Sequence, residues 1–279
     1  MRIVDTFAQV TDMAAEMNGG FSLPVWEKYA QAIAPGFAQK VLDDVSSYDF
    51  ELQVLPVLLS ALSRPERLAQ AHQSFLRAVH RLPERLVSVF GWDGDCTVIL
   101  YFGLCSGAGW ATELQGRPAV LLGLEKICEL SWHTPDKMED LLYHELGHIW
   151  HSLLGAPPEL SEDEPRAMRQ LHSEGVAMVF EQLLCGDPTR FHQDENGWLD
   201  WCRAHRAALH REYLRRAECG ESIQDFYGDW CRYHGHADVG YYLGCDFVRW
   251  LMGDGPLHRA ARLDPRELLV PYRQFVSSL

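Results

Sequence analysis

The stretch Leu141-Leu-Tyr-His144-Glu145-Leu-Gly-His148-Ile-Trp-His151 decides how this chain is read. From Pro135 to Leu154 apolar residues recur at helical spacing, with Thr134 at the N-cap, Pro135 at the first helical position and Gly155 just past the end. On a helix, residues i and i+4 stack on one face. The imidazoles of His144 and His148 can therefore reach one metal ion, with Glu145 beside them. Zinc suits such a site, because two imidazoles and one carboxylate leave a coordination position open for water. His151 shares the face of His148, but a straight helix carries it a turn too far for the same ion, so it reads as packing or cleft lining.

A third ligand is expected from a following helix. Leu171-His-Ser-Glu174-Gly-Val-Ala-Met-Val-Phe-Glu181 supplies Glu174 at the head of an apolar run, an awkward place for a carboxylate without a partner. Gly175 and Ala177 are small enough to let this helix pack closely against the His144–His148 helix. Glu181 lies two turns after Glu174 on the same face, and Asp140 lies one turn before His144. Both are candidates to orient the ligating imidazoles.

Working outward, residues 1–90 read as helical, in the ranges 25–34, 37–45, 51–62 and 65–89, punctuated by Pro24, Pro35-Gly36 and Pro83. Thr97-Val-Ile-Leu-Tyr-Phe102 is a strand-type run. Residues 110–114 and 118–124 flank Gln115-Gly116-Arg117 as a hairpin. From Pro135 onward the texture is helical again, apart from an acidic loop at about 156–165 whose Glu159–Glu164 segment reads as solvated. The reading is an α+β, mostly helical protein, with an N-terminal helical region over 1–92 and a core with C-terminal helices over 93–279, forming one unit.

The composition narrows the function. The 279 residues carry 25 Lys+Arg against 39 Asp+Glu, a net charge of −14 that opposes nucleic acid and anionic lipid. The chain has 13 histidines, an excess that directs attention to metal. Its eight cysteines form no CxxC pair and read as reduced thiols of a cytoplasmic protein. The N-terminus lacks the apolar core of a signal peptide, and no window is long and apolar enough to cross a membrane. Gly103 to Gly109 has neither P-loop nor GxSxG spacing, so Ser106 and Cys105 are not proposed as nucleophiles.

His144-Glu145-x-x-His148 followed by Glu174-Gly-x-Ala-x-x-x-Glu181 resembles the gluzincin metallopeptidases, more distantly their M1 aminopeptidase branch. The interval from His148 to Glu174 is longer than in that branch, and Ser173 stands where it has Asn. More of the chain is similar to the predicted zinc-dependent proteases grouped as DUF2268, through Ile3-Val-Asp-Thr6, Gly109-Trp-Ala-Thr112, Gly123-Leu-Glu125 and Gly240-Tyr-Tyr-Leu-Gly244. Metzincins are a poor match, because His151 stands where their Gly would be and Leu154 where their third His would be.

The resemblance implies a zincin-like core with a small β-sheet and an active-site helix. It implies one zinc ion held by His144, His148 and Glu174, and hydrolysis of peptide bonds by a metal-activated water, with Glu145 as general base. A tyrosine or histidine would stabilise the oxyanion; Tyr242 and Tyr241 are the first candidates, then His236 and His234. An edge strand beside the active-site helix would pair with the substrate backbone, and residues 119–123, ending at Gly123, are the candidate. The expected partner is a peptide or protein substrate, of basic or neutral character given the acidic chain. The competing expectation is a zincin-fold protein that binds peptides or proteins without cleaving them.

Overall fold

Thr97-Val-Ile-Leu-Tyr101 is apolar without alternation, the pattern of a strand covered on both faces, and a sheet is built around it. The computed structural model describes residues 1–155, 166–228 and 230–279, and the chain divides into two units, Met1–Ile149 and Trp150–Leu279. The first unit contains strands β1 (Arg2–Asp5), β2 (Thr97–Tyr101), β3 (Gly109–Leu114) and β4 (Arg117–Gly123), in the order β1-β2-β4-β3. β1, β2 and β4 run parallel, and β3 is antiparallel to β4. Between β3 and β4, Gln115 and Gly116 have φ of 54° and 73°, the paired positive angles that match a tight hairpin to strand twist.

β1 is a departure from the helical reading of residues 1–90. Its four residues are too few for a periodic signal, and their pairing with Thr97–Leu100 is non-local. A buried chain of hydrogen bonds fastens its end. Phe102 N–H donates to Tyr29 Oη at 3.0 Å, Tyr29 donates to Thr6 Oγ1 at 2.7 Å, and Thr6 donates to the Leu100 carbonyl at 2.8 Å.

Helices α1 (Phe7–Met17), α2 (Leu23–Ile33), α3 (Phe37–Val45), α4 (Leu55–Leu62), α5 (Pro65–Val79) and α6 (Leu82–Phe90) precede β2. The range 65–89 is thus two helices rather than one. Pro83 has no N–H to donate and its ring would clash with the carbonyl four residues back, so the chain breaks at Arg81, which takes a φ of 60°. A π-turn at Phe50–Val54 likewise precedes α4, whose second residue is Pro56.

After β4 come α7 (Leu124–Glu129) and α8 (Pro135–Leu153). α8 starts and stops as its sequence requires: Met138 N–H donates to the Thr134 carbonyl at 3.0 Å, and Gly155 lies beyond its end with φ of 93°. At the head of α7, Glu125 is fully buried and accepts N–H bonds from Gly103 at 2.6 Å and Cys105 at 3.0 Å. This ties the loop leading into β3 to the end of β4.

The second unit contains α9 (Arg166–Cys185), α10 (Trp198–Cys219), α11 (Val239–Met252), α12 (Leu257–Ala261) and α13 (Leu269–Ser277). A half-buried polar network holds three of them. Arg206 of α10 pairs with both oxygens of Asp246 on α11, at 2.5 and 3.0 Å. His210 of α10 donates to Asp246 at 3.0 Å and accepts from Tyr272 of α13 at 2.8 Å. All eight cysteines are free thiols, and among the described residues no helix is long and apolar enough to cross a membrane.

Burial lifts the Glu125 carboxyl from its ordinary 4.5 to about 7, despite the N–H donors that favour its charged form. A raised carboxyl adds stability in full below the unfolded value, and that contribution falls away as pH rises through the folded one. Urea denaturation of the wild-type protein should therefore show Glu125 removing roughly 3 kcal/mol between about pH 4.5 and 7. Glu125→Gln leaves one of the two N–H donors without an acceptor and lowers stability at acidic pH, and it should lack this slope. An unchanged slope in the variant would refute the assignment.

Candidate metal centre

Ionisable side chains are concentrated on a helix that is buried along most of its length. In α8, Asp140 and His144 are each 2% exposed, Glu145 is 7% and His151 is 4%, while His148 is half-buried. Such groups persist inside a protein only with partners or a ligand. His151 is accounted for: its Nε2 donates to the Ala261 carbonyl at 2.9 Å, and its ring meets His172 edge-on. His172 does the same to the Ala260 carbonyl, so the two imidazoles pin the end of α12. His151 is a packing residue.

His144 and His148 are arranged differently. Their rings stand edge to face with Nε2 atoms 3.1 Å apart. Two ligands at about 2.0–2.1 Å from a tetrahedral zinc lie about 3.3 Å from one another. The helix thus presents two imidazole nitrogens at nearly the separation of adjacent corners of a zinc site. Glu145, the next residue, is held at the sheet: its Oε2 accepts the Ala111 N–H of β3 at 2.8 Å.

Glu174 lies in α9, half-buried, and the position of this helix depends on glycines. A Cβ on Gly175 would stand 2.2 Å from the Gly244 carbonyl oxygen of α11. One on Gly244 would stand 2.5 Å from the Leu171 carbonyl oxygen and 2.8 Å from Gly175 N. Gly175 thus meets α11, backbone against backbone. Gly240, from the same Gly-Tyr-Tyr-Leu-Gly motif, makes room for the ring of Tyr227. Tyr227 donates to Tyr213 at 2.8 Å, which donates to the Ala167 carbonyl at 2.8 Å. Burial holds both phenols far above their ordinary range, and the charge of Glu174 adds to the effect.

One turn pair further along α9, Glu181 is fully buried. It accepts the Nδ1–H of His192 at 2.9 Å, while the Gln193 side-chain amide donates to His192 Nε2 at 2.8 Å, which assigns the proton of this imidazole to Nδ1. His192 escaped the sequence reading. It follows Phe191 in the segment between α9 and α10, out of helical register with Glu181, so only the return path of the chain creates the pair.

Of the two tyrosine candidates, Tyr241 has its ring 6.2 Å from His192 and 5.9 Å from Tyr227. Tyr242 instead packs on Phe191. Burial and the charge of Asp246 push its hydroxyl up to about 12. His236 is stacked on Trp201 at 3.9 Å, and His234 is exposed in the adjoining turn. Residues 119–123 are not an edge strand. β4 pairs with β2 on one side and β3 on the other, and Gly123 sits inside, against the Gly107 carbonyl and Glu125. The sheet edge next to Glu145 is β3. The segment Glu159–Glu164 lies outside the described residues.

Among the described residues, two sets of donors could hold a metal ion: His144, His148 and Glu174, and His144, Glu181 and His192. The ligand atoms of each set lie within 4.8 Å of one another. Both sets have the donor chemistry of a zinc site, two imidazoles and a carboxylate, and the first contains both members of the His144–His148 pair. The chain matches no family model, no curated protein and no solved structure.

The glycine contact supports a stability prediction. Gly175→Ala places a methyl group in backbone atoms that cannot yield, so urea denaturation of the metal-free protein should show a loss of about 2–3 kcal/mol. A loss under about 0.5 kcal/mol would mean that the α9–α11 approach is looser than described.

Proposed function

We propose that the protein is a zinc-dependent peptidase of gluzincin type with a zincin-like core. The observation that carries this reading is the pair of Nε2 atoms of His144 and His148, 3.1 Å apart on a buried helix, with the intervening Glu145 carboxylate tethered beside them. His144, His148 and Glu174 hold the ion. Zinc bound there supplies Lewis acidity and brings the acidity of water into the neutral range.

The protein's own groups do the rest. Glu145 takes a proton from the attacking water and returns it to the leaving amine. Glu181, backed by His192, keeps the ligand imidazoles in orientation. Tyr241 serves as oxyanion donor in preference to Tyr242, which faces Asp246 and Arg206. A peptide or protein is the substrate, and the free cysteines support a cytoplasmic setting.

Elemental analysis of purified, zinc-equilibrated protein should find about one zinc per chain. Glu174→Ala and His148→Ala should lose it, and Glu145→Gln should keep it. In a peptide-library assay, Glu145→Gln should lower turnover by roughly 10²–10⁴-fold. A wild-type protein that binds no divalent metal overturns the proposal. Bound zinc without cleavage of any peptide points to a protein that binds peptides without cleaving them.

A further inference from the structure

Gly109 and Ala111 open β3, the edge strand beside Glu145, and both meet the same side chain. In an antiparallel pair, alternate residues turn their N–H and C=O groups away from the ladder. Ala111 turns its N–H away from β4 and donates it to Glu145 Oε2 at 2.8 Å. At Gly109, two residues earlier and on the same side of the strand, a Cβ would stand 2.4 Å from Glu145 Oε1, 2.5 Å from its Cγ and 2.7 Å from its Cδ. The carboxylate thus fills the volume that any side chain at position 109 would occupy. φ at Gly109 is not among the positive values, so the glycine serves space and not backbone conformation.

We propose that Gly109 and Ala111 are positioning residues that form a seat for the Glu145 carboxylate. Gly109 supplies the room, and the Ala111 amide fixes one of the two oxygens. A glutamate has three rotatable bonds, and a base must meet its proton in one geometry. The seat selects that geometry without using a ligand of the metal. This inference rests on the peptidase reading, in which Glu145 moves the protons.

A structural role and a seat predict different outcomes. The atoms that a Cβ at Gly109 would strike belong to the Glu145 side chain, with no backbone among the nearest three, so Gly109→Ala should fold and displace the acid. Ala111→Pro removes the amide donor at an edge position where no ladder bond is lost. The probe is acetohydroxamate, which chelates the metal of such sites and hydrogen-bonds to the neighbouring acid, titrated into the cobalt-substituted protein and followed by visible absorption. Zinc content and thermal midpoint are measured in parallel.

Gly109→Ala and Ala111→Pro should each keep about one zinc per chain and a near-wild-type midpoint, yet bind acetohydroxamate at least tenfold more weakly, as Glu145→Gln does. Gly109→Ala should cost less in a Glu145→Asp background, because the shorter acid vacates the contested space. Wild-type hydroxamate affinity in both seat variants overturns the seat. So does loss of zinc or of folding in step with affinity. If the wild-type protein takes up neither metal, or Glu145→Gln binds the probe normally, the peptidase reading itself fails, and the two failures are distinguishable.

Discussion

Burying ionisable groups on a helix is the constraint on which the rest of this structure depends. α8 carries Asp140, His144, Glu145, His148 and His151 in an environment from which water is largely excluded. Removing such groups from water is costly unless each finds a partner. His151 finds a helix carbonyl and Glu145 a strand amide. The imidazoles of His144 and His148 stand with their Nε2 atoms 3.1 Å apart. Within the first unit, the sheet is best understood by what it provides to this helix.

The sheet provides an edge. β3 is held in place from behind: Glu125 accepts the amides of Gly103 and Cys105, and the Ala108 carbonyl accepts the Gly123 amide at 2.9 Å. The loop that delivers Gly109 and Ala111 is thereby tied to the buried end of β4. Within the second unit, α9 carries Glu174 and Glu181. Close approach of α9 and α11, possible because Gly175 and Gly244 have no side chains, sets the helix that carries both Glu174 and Glu181. Small residues here act as geometry, since a single methyl group would meet backbone.

Much of the candidate site was legible because its signals are local. His144, Glu145 and His148 lie within one helical turn and a half, and the Thr134, Pro135 and Gly155 signals bound their helix within a residue. Glu174 and Glu181 share the face expected of residues two turns apart. The hairpin at Gln115-Gly116 was legible for the same reason, since its two positive φ values favour glycine in a two-residue turn. The break in residues 65–89 was signalled by Pro83 but not placed, because a proline in a first turn is tolerated as readily as one that ends a helix.

What escaped depends on contacts between distant parts of the chain. β1 is four residues long and exists only because it pairs with β2. The sheet order that makes β3 the edge and places β4 inside is a choice of partners, and strand sequences do not specify which neighbour they take. The same holds for His192 beside Glu181, for Tyr241 rather than Tyr242 facing that pair, and for Gly175 resting on α11. The sequence by itself determined an α+β chain, mostly helical, with a metal-ligand pattern on one helix, because periodicity and capping are properties of neighbouring residues. The tertiary structure alone decided which strand edge faces Glu145 and what holds its carboxylate there, because those are distances between residues far apart in the chain.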